Sequence, residues 1–496
     1  DEQSHLLPAD AVGRLRLARA MGFADWEAFS VALERHRRRV QGHFDSVFAA
    51  PQAEGEDERP LAALWRRPGA EVESRQALAD AGFDDPAAAL ARLDAFRDTP
   101  ALRYLGVRGR ERMDQLVPLV LEAVAQARSP VATLDRVLGL LEAVARRTAY
   151  LALLVENPLA LSQLVRLTAE SPWIANELTR HPLLLDELLD PRRLYQPLRL
   201  EELRAELAAQ LAAVDPEDDE QQMERLRLFA RGNRLRVAAA DLAGMIPLMV
   251  VSDYLTWIAE AASGAVLDHA WRYLVARHGR PSGVEGDDMG FAVIGYGKVG
   301  GLELGYGSDL DLVFLHGDAS PAGTTGGGRP IADDLFYVRL GQRMIHLFTA
   351  RTGSGVLYDV DMRLRPSGNA GLLVSSLRAF ESYQQNDAWT WEHQALLRAR
   401  AIAGDPGVAA RFDAIRRAVL SRPRDPAALR DEVRAMREKM RASLDRSGKG
   451  RFDVKQGPGG VADIEFMVQY SVLRWAHQHP DLLDWTDNVR QLATLA

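Results

Sequence analysis

An α+β protein, mostly helical, with one small mixed sheet flanked by helical bundles, is what this 496-residue sequence predicts. Three observations carry that expectation. Up to about residue 280 the chain reads as successive helices punctuated by pairs of a capping residue and proline. Phe291 to Leu315, FAVIGYGKVGGLELGYGSDLDLVFL, reads as a strand, a Gly-Gly turn and a second strand. From about Trp389 the pattern reads as helix again. The length suits about three domains, each able to bury a core.

Residues 1–50 read as one helical segment, helical to about Arg39, followed by an acidic, proline-bounded linker from Pro51 to Pro60. Within 61–214, Ser129-Pro130, Asn157-Pro158, Ser171-Pro172 and Asp190-Pro191 repeat one device. A capping residue precedes a proline at the first helical position, where its missing N–H costs nothing. These pairs mark helix starts in an all-α region ending near Val214. DPEDDE, Asp215 to Glu220, reads as a second acidic linker that opens a segment 215–424. There a helical lead-in to about His278 and GRPSGVEGDDMG precede the sheet. TTGGGRP, Thr324 to Pro330, has the look of a phosphate cradle, yet no Lys-Ser/Thr follows it, and it reads as a flexible connection. AWTWEHQALLRARAIAGD reads as helix, and 425–496 as a last helical segment.

Composition narrows the function. The chain has no cysteine, which excludes disulfides and thiolate metal sites. No run of about 18 apolar residues and no signal sequence are present, so a cytoplasmic protein with no membrane partner is expected. A net charge of −8 is mild for this length and speaks against a nucleic-acid partner, which calls for a basic domain.

The chemistry gathers on the predicted sheet. Asp309 and Asp311 open the second strand; two residues apart, they point the same way, about 7 Å apart. With no adjacent Lys or Arg, they repel unless a cation lies between them. Oxygen ligands suit Mg²⁺, which takes one or two carboxylates plus substrate phosphates. From Val356 to Arg365 apolar and polar residues alternate, which predicts a half-buried strand with Asp359, Asp361, Arg363 and Arg365 on its polar face. Asp361 would complete a three-carboxylate site, and the two arginines would grip phosphate oxygens.

Gly295, Gly297 and Gly300 also spell a dinucleotide fingerprint, with Asp318 near the offset of a ribose-binding acid. Only LELGYGS separates Gly301 from the next strand, too short for the crossover helix of a parallel βαβ unit. That fingerprint is therefore set aside. Lysine is scarce, with only Lys298, Lys439, Lys449 and Lys455 present, so Lys298 in the Gly-rich turn and Lys455 in KQGPGG are candidates for a compact charge. Arg398 and Arg400 read equally as phosphate contacts or as a solvated helix face, and Asp463 and Glu465 equally as structural or catalytic. His477 and His479 are two apart, wrong for one helix face, and read as surface residues.

Gly300-Gly301 followed by Ser308-Asp309-Leu310-Asp311 resembles the signature of DNA polymerase β-like nucleotidyltransferases. GYGKVGGLELGYGSDLDLVFLH, YDVDMRLRPSG, AWTWEHQALLRARAIAGD and DVKQGPGGVADIEFMVQY resemble, in sequence and order, the glutamine-synthetase adenylyltransferase family. With MIPLMVVSDYLTWIAEA they are similar to its carboxy-terminal, adenylylating half. The resemblance implies transfer of AMP from ATP to a glutamine synthetase tyrosine with two Mg²⁺ ions. Asp309 and Asp311 would bridge both ions and Asp361 would bind the one beside the nucleophile. Gly300, Gly301 and Ser308 would present donors to the β- and γ-phosphates, and Lys298, Arg363 and Arg365 would also bind nucleotide. Glutamine synthetase, a PII-type signalling protein and glutamine as an effector are the implied partners. Removal of AMP by phosphorolysis, or a regulatory binding role for the first 215 residues, stay open beside this. The single GG…DxD, the start at Asp1 and the end within a helical pattern at Ala496 predict a fragment of a longer, two-headed enzyme.

Overall fold

The computed structural model describes residues 7–8, 10–48, 60–66, 71–317, 323–448 and 450–496, with side chains from 38 to 48 excepted. Residues 51–59 of the expected linker, Asp318 and Lys449 lie outside these. The chain divides into two compact units between Arg192 and Arg193.

The first unit is built of helices. Pro130, Pro158, Pro172 and Pro191 each open one, as the capping pairs predict: Pro130–Val144, Pro158–Glu170, Pro172–Arg180 and Pro191–Leu194. The Ser171 hydroxyl accepts the Ile174 N–H at 3.2 Å and the Asp190 carboxylate accepts the Arg192 N–H at 3.0 Å, each satisfying a donor the helix start leaves over. Leu116, Val117, Val120 and Leu121 of Val107–Ala125 are fully buried, as are Leu134, Val137 and Leu141 of Pro130–Val144. Among the described residues no single helix is long and apolar enough to cross a membrane.

The second unit holds the sheet. Strands β1 (Gly279–Arg280) and β4 (Thr325–Gly326) form a short antiparallel ladder. The main sheet contains β2 (Phe291–Gly295), β3 (Leu310–His316), β5 (Val360–Asp361), β6 (Val374–Ser376) and β7 (Arg400–Gly404), in the order β5-β3-β2-β7, with β6 also on β3. β2 runs antiparallel to β3, Phe291 opposite His316 and Gly295 opposite Leu312, and β7 is antiparallel to β2 on its other side. β5 and β6 pair parallel with β3.

Both sheet faces are covered, which is why β2 reads as an unbroken apolar run. Phe291, Val293, Leu310, Leu312 and Phe314 turn toward the helices Leu248–His278 and Asp333–Thr349. Ala292, Ile294, Val313 and Leu315 turn the other way, onto Phe380, Leu396, Phe412, Val472 and Leu483. The fold class is the expected one, α+β with a small mixed sheet among helices.

Four expectations are corrected. The acidic segment is a tight turn to Asp218 followed at once by helix, between Leu200–Ala212 and Asp219–Leu242, and Asp218 caps the second of these by accepting the Gln221 N–H at 3.0 Å. The unit boundary thus lies at 192/193 instead of 214/215. Residues 425–496 share a hydrophobic core with the sheet and form no separate domain. RARAIAG, expected as helix, supplies strand β7. The TTGGGRP loop is pinned, not flexible: the buried Thr324 hydroxyl donates to the His278 carbonyl at 2.6 Å and accepts the Ile331 N–H at 3.0 Å. His278 Nδ1 also bonds the Arg329 carbonyl at 2.7 Å.

Candidate active site

The sheet brings the predicted carboxylates together. β3 and β5 are in parallel register with Asp311 beside Asp361, and Asp309 lies one pleat repeat before Asp311 on the same face. Asp309 is exposed, while Asp311 and Asp361 are half-buried. Burial, reinforced by the charges of Asp309 and Asp361, pushes the Asp311 carboxyl up to about 6 despite Arg363 and Arg398 nearby.

The alternating strand expected over 356–365 contracts to Val360–Asp361. Asp361 ends it: its Oδ1 accepts the backbone N–H of Arg363 at 2.8 Å, an Asx-type turn that competes with the ladder. The Arg363 guanidinium then closes on the same carboxylate, Nε to Oδ2 at 2.7 Å, and holds Asp361 below the usual carboxylate range. Arg365 donates to the Met362 carbonyl at 2.9 Å and the Asn369 carbonyl at 3.3 Å, so it braces its own loop instead of reaching out as a phosphate ligand.

Asp361 is turned onto Arg363, and among the described residues no group of three acidic or histidine side chains stands ready-made around a metal position. The donor set nevertheless suits a hard divalent cation. It is all oxygen, and Asp311, its carboxyl raised first by burial and then by the charges of Asp309 and Asp361, is a group whose ionised form such an ion would stabilise.

The turn between β2 and β3 packs against these acids. Gly297 to Gly300 form a single helical turn, and the Tyr296 N–H donates to the Asp311 carbonyl at 2.8 Å. Antiparallel β2 and β3 exclude the parallel dinucleotide unit outright. Gly297 has φ 53°, and a Cβ there would fall on the Asp311 carboxylate. That makes Gly297 a site residue which the sequence reading assigns only to the discarded fingerprint.

Gly300 and Gly301 play another part than the expected one. Their N–H groups already donate to Tyr296 O at 2.9 Å and Gly297 O at 3.0 Å, so they are not free for phosphates. A Cβ on Gly300 would strike the Arg398 carbonyl, and one on Gly301 would lie 2.7 Å from the Arg398 guanidinium. The glycines let the turn lie on Arg398. What the turn presents outward is Lys298, which is exposed and donates to Ser308 Oγ at 3.4 Å, while Ser308 Oγ accepts the Gly305 N–H at 3.0 Å.

Several neighbours are structural. Arg398 is buried between Glu303 and Glu465, and Arg400 pairs with Glu260 while donating to the Gly300 carbonyl at 3.1 Å. Asp463 is held by Arg437 at 2.7 Å and Arg441 at 2.9 Å. Lys455 is exposed, on a turn whose backbone is bonded to Asp453.

A small mixed sheet carries adjacent carboxylates at the end of an antiparallel strand pair, with a Gly-Gly turn beside them, and the family that the chain matches is one of nucleotidyltransferases. The model of the glutamate-ammonia ligase adenylyltransferase family matches residues 161–415, and the chain belongs to that family. A PII-uridylyltransferase family model matches residues 1–48 and 434–496. The chain is 54% identical, over its whole length and 52% of the relative, to the bifunctional glutamine synthetase adenylyltransferase/adenylyl-removing enzyme of Nitrosococcus oceani. The same coverage holds for the enzymes of that name from Thioalkalivibrio sulfidiphilus, at 54%, and Pseudomonas aeruginosa, at 51%. The chain spans about half the length of these curated relatives.

Proposed function

We propose that this chain transfers AMP from ATP to a tyrosine hydroxyl of glutamine synthetase, releasing pyrophosphate. The observation that carries the reading is the register of Asp311 with Asp361, with Asp309 near enough for its charge to raise the Asp311 carboxyl. The tyrosine oxygen attacks the α-phosphorus, and the bond from that phosphorus to the oxygen bridging the β-phosphate breaks. Asp309, Asp311 and Asp361 would hold two Mg²⁺ ions, which would neutralise the phosphates and stabilise the attacking and leaving oxygens.

The protein's own groups do the rest. A tyrosine hydroxyl with a pKa of about 10 is protonated at neutral pH and must lose its proton during attack. Asp361 takes that proton. Arg363, exposed on its long stem, leaves Asp361 for the phosphate oxygens, which restores the basicity the ion pair suppresses. Lys298 and Ser308 meet the β- and γ-phosphates. Gly297 keeps the turn clear of Asp311, Gly300 and Gly301 seat it on Arg398, and Arg365 braces the following loop.

The test is incubation of the chain with glutamine synthetase, Mg²⁺ and ATP labelled at the α-phosphate, followed by mapping of the modified residue. Label on one tyrosine supports the reading; no Mg²⁺-dependent label overturns it. The relatives' names also include adenylyl removal, so a second arm supplies adenylylated synthetase and phosphate. ADP formation there, without forward transfer, would assign the removing activity to this half. The PII-uridylyltransferase match supports a PII-type protein as regulatory partner, and glutamine as effector rests on the family resemblance alone. Pull-down with and without residues 1–192 tests that association.

A further inference from the structure

The nucleotide turn is held from behind by the far end of the chain. Leu302, directly after Gly301, has φ 53°, a left-handed conformation that costs a branched side chain free energy and persists only where its surroundings impose it. The Glu303 N–H closes the turn on the Lys298 carbonyl at 2.9 Å, and the Glu303 side chain ties the closed turn outward. Its Oε1 accepts the Asn488 backbone N–H at 2.9 Å and the Asn488 side-chain N–H at 3.0 Å, and its Oε2 pairs with Arg398. Arg398 is anchored in turn by Glu465 of the Val461–Trp475 helix at 2.9 Å. Independently, the buried Thr486 hydroxyl donates to the Gly300 carbonyl at 2.7 Å, the same oxygen that accepts Arg400 Nε at 3.1 Å.

We propose that Glu303, Asn488 and Thr486 are positioning residues for the nucleotide, a clamp through which the carboxy-terminal helices set the affinity for ATP. None of the three touches the carboxylates. Thr486 holds the Gly300 carbonyl, Asn488 holds the Glu303 carboxylate, and Glu303 ties the turn to Arg398, so that together they fix where Lys298 and Ser308 stand. The inference rests on the reading that Lys298, on this turn, meets the phosphates. A group that only stabilised the fold would change the melting temperature and the fraction of active protein, but not the affinity of the molecules that remain folded.

The measurement is binding of a fluorescent, non-hydrolysable ATP analogue by anisotropy, with Mg²⁺, to the full 496-residue chain. Melting curves accompany it for Asn488→Ala, Thr486→Val, Thr486→Ser and Lys298→Ala. Asn488→Ala and the nearly isosteric Thr486→Val are expected to weaken binding about tenfold, the scale of one hydrogen bond to a charged or doubly used acceptor. Thr486→Ser, which keeps the hydroxyl, binds as the unaltered chain does. Should Asn488→Ala not fold, the Thr486 pair decides. If Lys298→Ala weakens binding while folded Thr486→Val and Asn488→Ala bind normally, the clamp is overturned and the phosphate reading stands. If Lys298→Ala itself binds normally, the phosphate reading fails and takes the clamp with it.

Discussion

Replacing Asp311 with Asn should make the metal-free protein more stable while destroying its chemistry. Asp311 is forced to carry charge in a half-buried position beside Asp309 and Asp361, which moves its carboxyl from 3.8 to about 6. Two pKa units at about 1.4 kcal/mol each give a native-state penalty of about 3 kcal/mol once the group is ionised. The sign follows from proton counting. Between pH 3.8 and about 6 the native protein binds this proton more fully than the unfolded chain, so stability contributed by this group falls as pH rises through that window. Above the window the full penalty applies. For a unit the size of residues 193–496, 3 kcal/mol corresponds to roughly 5 °C in Tm. The assay is thermal melting in EDTA and in Mg²⁺, from pH 4 to pH 8. In EDTA the Asp311→Asn variant should melt higher, by a gap that opens across the window and is flat above pH 7. Mg²⁺ should raise the Tm of the unaltered chain and leave the variant nearly unmoved. A variant that melts at or below the unaltered chain in EDTA at pH 7 would refute the claim that these carboxylates crowd one another.

Three further outcomes are expected. Gly297→Ala should cut nucleotidyl transfer about 100-fold with the fold retained, because the new Cβ would lie 2.1 Å from Asp311 Oδ2 and force that carboxylate to move by about 1 Å, a misplacement that costs on the order of 100-fold; near-normal turnover together with an unchanged circular dichroism spectrum would show that Asp311 need not sit where it does. Arg363→Ala should tighten Mg²⁺ binding about two- to fivefold by calorimetry, since it frees Asp361 from an exposed ion pair of modest strength; weaker Mg²⁺ binding would mean that Arg363 orients Asp361 for the ion. Thr324→Val should cost about 1–3 kcal/mol, read as a lower Tm, by leaving the His278 carbonyl and Ile331 N–H without their buried partner, while ATP affinity stays constant; loss of ATP affinity at unchanged Tm would return this loop to the phosphate-binding role.

Much of this architecture is legible in the sequence because the signals are local. Proline after a capping residue specifies a helix start by its own covalent geometry, and Pro130, Pro158, Pro172 and Pro191 all open helices. The short Gly301–Ser308 connection excludes a parallel crossover before any strand is paired. Alternation over 356–365 misleads, because a period-two pattern takes no account of a side chain that competes for backbone donors, and Asp361 does so at Arg363. RARAIAG reads as helix, since its role as β7 is decided by a partner strand more than a hundred residues earlier. The glycine pair reads as making room for a ligand, whereas the group for which it makes room is Arg398. Asn488 and Thr486 leave no motif at all, because a hydrogen bond across 186 residues writes nothing into its neighbours.

That last separation has a consequence for how the molecule comes into being. Synthesised from its amino terminus, the chain has the whole β2–β3 hairpin available long before Thr486 and Asn488 exist to hold its turn. At roughly 5–20 residues per second, the interval is about 10–40 s. Once residue 361 has been made, the three aspartates are present while the Glu303 carboxylate still lacks Asn488 and the Gly300 carbonyl still lacks Thr486. A nascent chain stalled between residues 361 and 486 would therefore carry all three aspartates with these two outer ties of the turn unmade, and the ties would form only after Asn488 has left the ribosome.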